Sequence, residues 1–477
     1  MAENFLHGVE IVEIDDGARP IQTAAASIIG IVGTAPRADA AAFPINTPVL
    51  VANSRTLAAK LLAQPAGEDG DGTLPDALDS IFDQAGATVV VVRVEKGETD
   101  AETLANVLGG VNAVTGQYEG VHALLAAESV LGVKPRILLA PGFTHQRVSG
   151  GVLTLTGAPG SGYTDGTYSL IVSGDGTGAA ATATIVGGAV TARTITNPGS
   201  GYTAPPTFEL PAEAGAGNGA TFVATIGTAG NSVVTELVGI ADRLRAVIIA
   251  DALNTTDEDA IAYAGDFGSR RVFVVDPFVV KVNDETGALY TAPLSPCVAG
   301  LIARSDNERG FWWSPSNQTI NGIVGTARAI DFSMGDPNSR ANLLNSENVA
   351  TVIRQNGFRL WGNRTVSADP KWSFLCVVRT ADIIADSLQA AHLWAVDRGI
   401  TKNYVSDVQD GVNAFLRDLK ARGAILGGTC WIDPELNTPA AIAAGNVFWD
   451  YDFTPVYPAE RVTFRSHLVD NYISEIF

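Results

Sequence analysis

The spacing of apolar positions changes several times along the chain, and each change marks an element. Ile28–Val32 is a short apolar run of buried-strand length. In Leu74–Gln84 the apolar residues Leu74, Leu78, Ile81 and Phe82 share one helical face. Val89–Val94 is rich in β-branched residues, as in a strand covered on both faces. Asp100–Leu108 reads as a helix whose acidic first turn suits the positive end of the helix dipole. Val121–Leu131 reads as a second helix, and Arg136–Ala140 as a strand stopped by Pro141-Gly142. After an interruption the rhythm resumes with helix Asn231–Arg245, strand Ala246–Ala250, helix Thr256–Tyr263 and strand Arg271–Val275. Strands alternating with helices predict an α/β fold on a mostly parallel sheet.

The interruption, Val148–Gly230, is rich in Gly, Ala and Thr and holds one basic residue, Arg193. It repeats internally. Gly160-Ser161-Gly162-Tyr163-Thr164 returns as Gly199-Ser200-Gly201-Tyr202-Thr203, and each copy leads to a related strand, Gly178–Ile185 and Gly219–Ile226. Short Thr/Val strands with Gly-rich turns predict a small all-β module of two related halves, inserted at a surface loop.

Beyond Ser295 the pattern predicts a helix over Cys297–Ser305 and strands within Ile353–Arg379. Two amphipathic helices, Thr380–Arg398 and Asn403–Arg422, follow. The polar face of the second carries Asp410, Arg417, Lys420 and Arg422. A last strand, Arg461–Leu468, alternates Val462, Phe464, Ser466 and Leu468 with Arg461, Thr463, Arg465 and His467. Both termini read as extended β-prone arms. Val9, Ile11, Val12 and Ile14 lie in one, and Tyr472, Ile473 and Ile476 in the other. Such arms pair within their own subunit or add a strand to a neighbour's sheet edge.

Composition narrows the function. The chain has 477 residues, 46% hydrophobic and 17% charged, enough for sizeable cores. No apolar run reaches the roughly 18 residues of a membrane span, and the N-terminus lacks the pattern of a signal peptide, which predicts folding in a cytoplasm. The net charge of −20 opposes direct nucleic-acid binding. It is uneven: from Thr351 onward the net is −2, leaving −18 before it. A less acidic C-terminal region is where a like-charged partner docks. Three separated cysteines, Cys297, Cys376 and Cys430, predict reduced buried thiols.

Catalytic motifs are missing. The chain has no phosphate loop of the G-x-x-x-x-G-K-[ST] type, no H-E-x-x-H and no G-x-S-x-G, and its five histidines are scattered. Asp15-Asp16 and Asp450-Tyr451-Asp452 read as acidic turns. Ser466 and His467 would point to opposite faces of a strand, which excludes a nucleophile–base pair. We therefore assign no catalytic, cofactor-binding or metal-ligating residue. An enzyme on the α/β layer and an adhesin built on the repeat are the alternatives to a structural protein.

Four segments carry a family resemblance. Phe5–Glu10 through Arg19-Pro20-Ile21 and Ile28–Pro36 resembles the opening of contractile tail sheath proteins, found in phages, R-type bacteriocins and relatives in type VI secretion. Ser314–Asn317 with Ile320–Ile323 resembles a second family segment. Gly357–Thr365 with Asp369–Trp372 resembles a third, and Asp450–Pro455 with Pro458–Arg461 a fourth. Val148–Gly230 departs from the family pattern. The resemblance implies a sheath subunit of a virion tail, assembled in the bacterial host cytoplasm. It implies hexameric rings of this chain stacked helically around a tail tube protein, with baseplate and tail terminator proteins as further partners. No nucleic-acid partner and no stable membrane insertion are expected. It also implies a tube-facing C-terminal domain and terminal arms threaded into neighbouring subunits. We accordingly expect an arm over 1–23, an α/β core over 24–147 and 231–350, a surface-exposed β insert over 148–230, and a tube-facing α/β domain over 351–477. Arg417, Lys420 and Arg422 are the expected tube contacts. Val9, Ile11, Val12, Ile14, Tyr472, Ile473 and Ile476 are expected to exchange strands between subunits.

Overall fold

The structure is a computed structural model, and it describes residues 20–65, 67–283 and 286–472. Its elements in chain order begin with β1 (Ile29–Thr34), β2 (Val49–Ala52), α1 (Leu74–Phe82), β3 (Thr88–Val94), α2 (Asp100–Leu108) and β4 (Ile137–Leu139). Next come β5 (Val148–Thr156), β6 (Thr177–Val186), β7 (Ala189–Ser200) and β8 (Val223–Ala229). Then follow α3 (Ser232–Leu244), β9 (Val247–Asp251), α4 (Asp257–Gly265), β10 (Val272–Val275) and α5 (Ser295–Arg309). The last are β11 (Val349–Arg354), β12 (Phe358–Trp361), α6 (Leu375–Ala391), α7 (Lys402–Ala421), β13 (Ile425–Ile432) and β14 (Trp449–Pro455).

One sheet of eight strands, in the order β2-β3-β1-β4-β9-β10-β11-β12, organises the body. From β3 to β11 every neighbour is parallel, and β2 and β12 close the edges antiparallel. The central strands are apolar on both faces because both are covered. Ile29, Ile31, Val89 and Val91 pack toward α1 and α5, while Val90, Val92, Leu138 and Ile248 pack toward α3 and α4. Side-chain caps start the helices: Thr99 and Glu102 form a capping box on α2, Asn231 caps α3 and Thr256 caps α4.

The structure corrects four readings. Asp450-Tyr451-Asp452 lies within strand β14 rather than in an acidic turn, because it pairs with Thr429–Trp431 of β13. Gly120–Ala126 is a 3-10 turn leading into a short α-helix, Ala127–Leu131, rather than one helix. The helix expected over Thr380–Arg398 is α6, Leu375–Ala391. Its first turn, Leu375–Val378, is buried all round, so apolar periodicity could not mark its start. Residues 459–470 form no strand, although Arg461–Leu468 alternates as one.

Between β4 and α3, residues 148–229 form strands around a small core of their own, including Val152, Leu155, Ala183, Ile185, Val190, Phe208 and Ala224. Entry and exit lie side by side, since β5 and β8 pair antiparallel with Val148 opposite Ala229. The sequence repeats pair reciprocally. The first Gly-Ser-Gly turn lies against 218–220, at the start of the second repeat strand, and the second lies against 177–179, at the start of the first. Both contacts need glycine. A Cβ on Gly160 would sit 2.4 Å from the Ala220 nitrogen, and one on Gly199 2.4 Å from the Ala179 nitrogen, with φ +64° at each.

Candidate assembly interface

The C-terminal unit builds its own core from Ile383 and Ile384 of α6, Val412, Phe415, Leu416 and Leu419 of α7, and Ile425 and Cys430 of β13. The start of the described chain threads into it. Ile21 and Ala26 pack on this core. The backbone nitrogen of Ala24 donates to Ser387 Oγ at 2.9 Å, and Arg379 donates to the Ala26 carbonyl at 3.0 Å. The chain therefore crosses the C-terminal unit before it enters β1, and nothing in the local sequence signals this.

β13 and β14 form a two-stranded sheet with unequal edges. On the outer side of β13, the Cys430 nitrogen donates to Asn413 Oδ1 at 2.8 Å. The Cys430 carbonyl accepts from Asn413 Nδ2 at 2.9 Å and from Gln409 Nε2 at 3.2 Å. The side chain of an α7 residue thus does there what a further strand would do. The outer side of β14 has no strand among the described residues. Along β14 aromatic and acidic residues alternate. Trp449 and Phe453 pack on the α6–α7 core, and Asp450 and Asp452 take the other face.

After β14, Arg364 grips Glu460 with two hydrogen bonds of 2.7 and 2.6 Å, and the chain then runs out uncovered. Phe464 is 93% exposed and Leu468 99% exposed, with Val462 and Tyr472 also outside. Large apolar side chains left in water call for an explanation. More of them, Leu393, Val396, Trp431, Leu436 and Phe448, stand on the same unit.

Of the expected tube contacts, Arg417 and Lys420 are exposed on α7. Arg422 is engaged within the chain: it donates to Thr23 Oγ1, pairs with Asp418 at 3.6 Å and lies 5.5 Å over the Trp312 ring. Val9, Ile11, Val12, Ile14, Ile473 and Ile476 lie outside the described residues, and Tyr472 is exposed.

Polar groups in the body are committed to structure. Where the strand order reverses, at the carboxyl ends of β1 and β4, open α/β sheets take ligands. Here Thr73 fills that place: its nitrogen donates to the Thr34 carbonyl at 2.9 Å, the Thr34 nitrogen donates to its hydroxyl at 3.2 Å, and Gly142 packs against its methyl. Asp251, fully buried, accepts from the Ser295 nitrogen at 2.8 Å at the start of α5, and burial pushes its pKa up to about 6. Arg328 ties Asp257 to Asp276, whose pKa burial also raises to about 6. All three cysteines are free and buried. Burial pushes Cys297 up to about 12 and Cys376 up to about 11, so neither is a ready nucleophile. Among the described residues no helix is long and apolar enough to cross a membrane, and no group of His, Cys, Asp and Glu is placed to hold a metal ion.

Comparison with known proteins adds three family matches in chain order. They are the tail sheath protein Gp18 domain III N-terminal region over residues 26–94, the phage tail sheath protein central domain over 212–366, and the phage tail sheath C-terminal domain over 367–468. A prophage major tail sheath protein of Pseudomonas aeruginosa is 38% identical over 475 residues, covering 99% of each chain. The tail sheath protein of Escherichia phage P2 is 32% identical over 480 residues, covering 99% of this chain and 98% of the relative. Among solved structures, the contracted helical sheath of the anti-feeding prophage superposes with a TM-score of 0.60 at 17% identity, covering 96% and 98% of the chains. The contracted PVC sheath complex, from an extracellular contractile injection system, gives 0.59 at 14%, covering 99% of each. At these identities the two superpositions establish a common fold.

Proposed function

The chain belongs to the phage tail sheath family, and from that premise we propose that it polymerises as hexameric rings, stacked helically around a tail tube, and contracts on a baseplate trigger to drive the tube through an envelope. Head-to-tail contacts that do not close on themselves generate a helical tube. Contraction is then a rigid-body rotation of subunits between two packings, from an extended state held by its barrier.

The observation that carries this reading is the match between a bare strand edge and an uncovered strand-like segment. β14 alternates aromatic and acidic residues beside an open edge. Residues 461–468 alternate apolar with Arg461, Thr463, Arg465 and His467, and have no strand partner among the described residues. Set on the β14 edge of a second copy, the segment would lay Val462 and Phe464 along the aromatic face. Its arginines would lie among Asp450 and Asp452. Opposite charges and apolar pairs across strands are each stabilising, and the backbone bonds hold the link while the subunits turn. The terminal segments outside the described residues, with Val9, Ile11, Val12, Ile14, Ile473 and Ile476, are proposed to extend the same role. Arg417 and Lys420 on the polar face of α7 are the proposed contacts with an acidic tube. Residues 148–229 are proposed as an outward decoration.

The test is truncation after Glu460, followed by negative-stain electron microscopy. The full chain should give tubes or stacked rings of uniform diameter, and the truncated chain a folded, unassembled subunit. Normal tubes from the truncated chain would remove the segment from the assembly mechanism. Charge reversal at Arg417 and Lys420 should weaken assembly on a tube and spare the fold.

A further inference from the structure

Helix α6 joins the body to the C-terminal unit through a stripe that changes character along its length. At its start Leu375 and Val378 sit in the apolar core of the body. One to three turns on, the same side carries Arg379, Asp382 and Asp386, all buried. Each meets an opposite charge from a distant part of the body. Asp386 is shared by three cations: Lys134 at 3.1 Å, Arg245 at 2.6 Å, and Arg136. Asp382 pairs with Arg271, which also holds Asp242 at 2.9 Å. Arg379 grips Asp306 of α5 at 2.8 Å. Arg136, Arg245 and Arg271 stand just before β4, β9 and β10, so the seam runs across the amino ends of three adjacent strands.

Buried ion pairs contribute little net stability against apolar packing, but they are strict about geometry, and breaking one strands a buried charge. Apolar contact at Leu375 and Val378 tolerates a change of angle. The ionic end, about 16 Å further along the helix, does not. We propose that Asp382 and Asp386 are positioning residues that latch the C-terminal unit to the body in one orientation, so that the unit bearing the strand edge and the exposed segment moves with the body as one piece. The inference goes beyond the sheath reading and does not require it.

The test uses the full chain with spin labels at Val114→Cys in the body and Leu436→Cys in the C-terminal unit. Both positions are exposed, and the native cysteines are buried away from the label. Pulsed dipolar spectroscopy should show one narrow distance in the parent. Asp386→Asn, which leaves three clustered cations without their counter-ion, should add a second distance or broaden the first, with the helical circular dichroism retained. Arg245→Gln removes a partner from a half-exposed position and should do the same to a smaller degree; it carries the test if Asp386→Asn does not fold. A folded variant with the parent's single narrow distance would overturn the proposal.

Discussion

Arg422, just past the end of α7, donates a hydrogen bond to the hydroxyl of Thr23 at 3.0 Å, joining positions 399 residues apart. The contact pins the start of the described chain to the unit from which the exposed C-terminal segment departs. The start of the described chain is thus tied to the same unit that carries β14 and the segment after it.

Arg422→Glu should therefore behave unlike its neighbours. It loses the Thr23 bond and the Trp312 stacking, turns the Asp418 pair repulsive, and should cost about 1 kcal/mol. Arg417→Glu and Lys420→Glu, on open surface, should stay within about 0.5 kcal/mol of the parent. Thermal melting, with limited proteolysis ahead of Ile29, distinguishes them: only Arg422→Glu should speed cleavage there.

Stability should depend on pH through Asp251 and Asp276. Burial raises both pKa values to about 6, above the unfolded value of about 3.9. The folded state therefore binds protons more tightly. The stability these groups contribute is fully present below about pH 4 and is lost as pH rises through about 6, on the order of 3 kcal/mol per group. Asp257 acts in the opposite sense, because its hydrogen bonds to Arg340 hold its carboxyl below the usual range, so its contribution is lost in acid. Denaturant midpoints between pH 4 and 7 should fall less steeply with rising pH in Asp251→Asn than in the parent.

Removal of 148–230 should leave a folded body. Its flanks are held without it: Arg147 makes two hydrogen bonds to Asp266, at 2.7 and 2.8 Å, and Asn231 donates to the carbonyls of Phe143 and Gln146. A short linker should restore the β4–α3 connection, and tubes should still form by negative stain. A folded deletion variant that never assembles would give this segment a place in the lattice.

Gly199→Ala should unsettle the β segment alone. The new methyl would meet the Ala179 nitrogen in a left-handed backbone conformation, costing about 2 kcal/mol or more. Hydrogen exchange should rise across 148–229 and stay unchanged in β1, β3 and β9.

Much of the fold was legible in the sequence because it rests on local regularities. The β-branched run at Val89–Val94, the acidic start of Asp100–Leu108 and the repeated Gly-Ser-Gly-Tyr-Thr each signal an element through their own spacing and conformational preference. The alternation of Arg461–Leu468 was also legible, yet within one chain it forms no strand. Alternation sets which residues share a face, but a strand exists only where an edge accepts its backbone, and among the described residues no strand pairs with the outer edge of β14. What tertiary structure alone decided is who meets whom. The apolar first turn of α6 has no period because it is buried all round. Asn413 closes the β13 edge only because α7 lies beside it. Asp386 gains three cations from residues 134–136 and 245. Long-range packing makes these contacts, and their charge and burial energies depend on distances that no local pattern encodes.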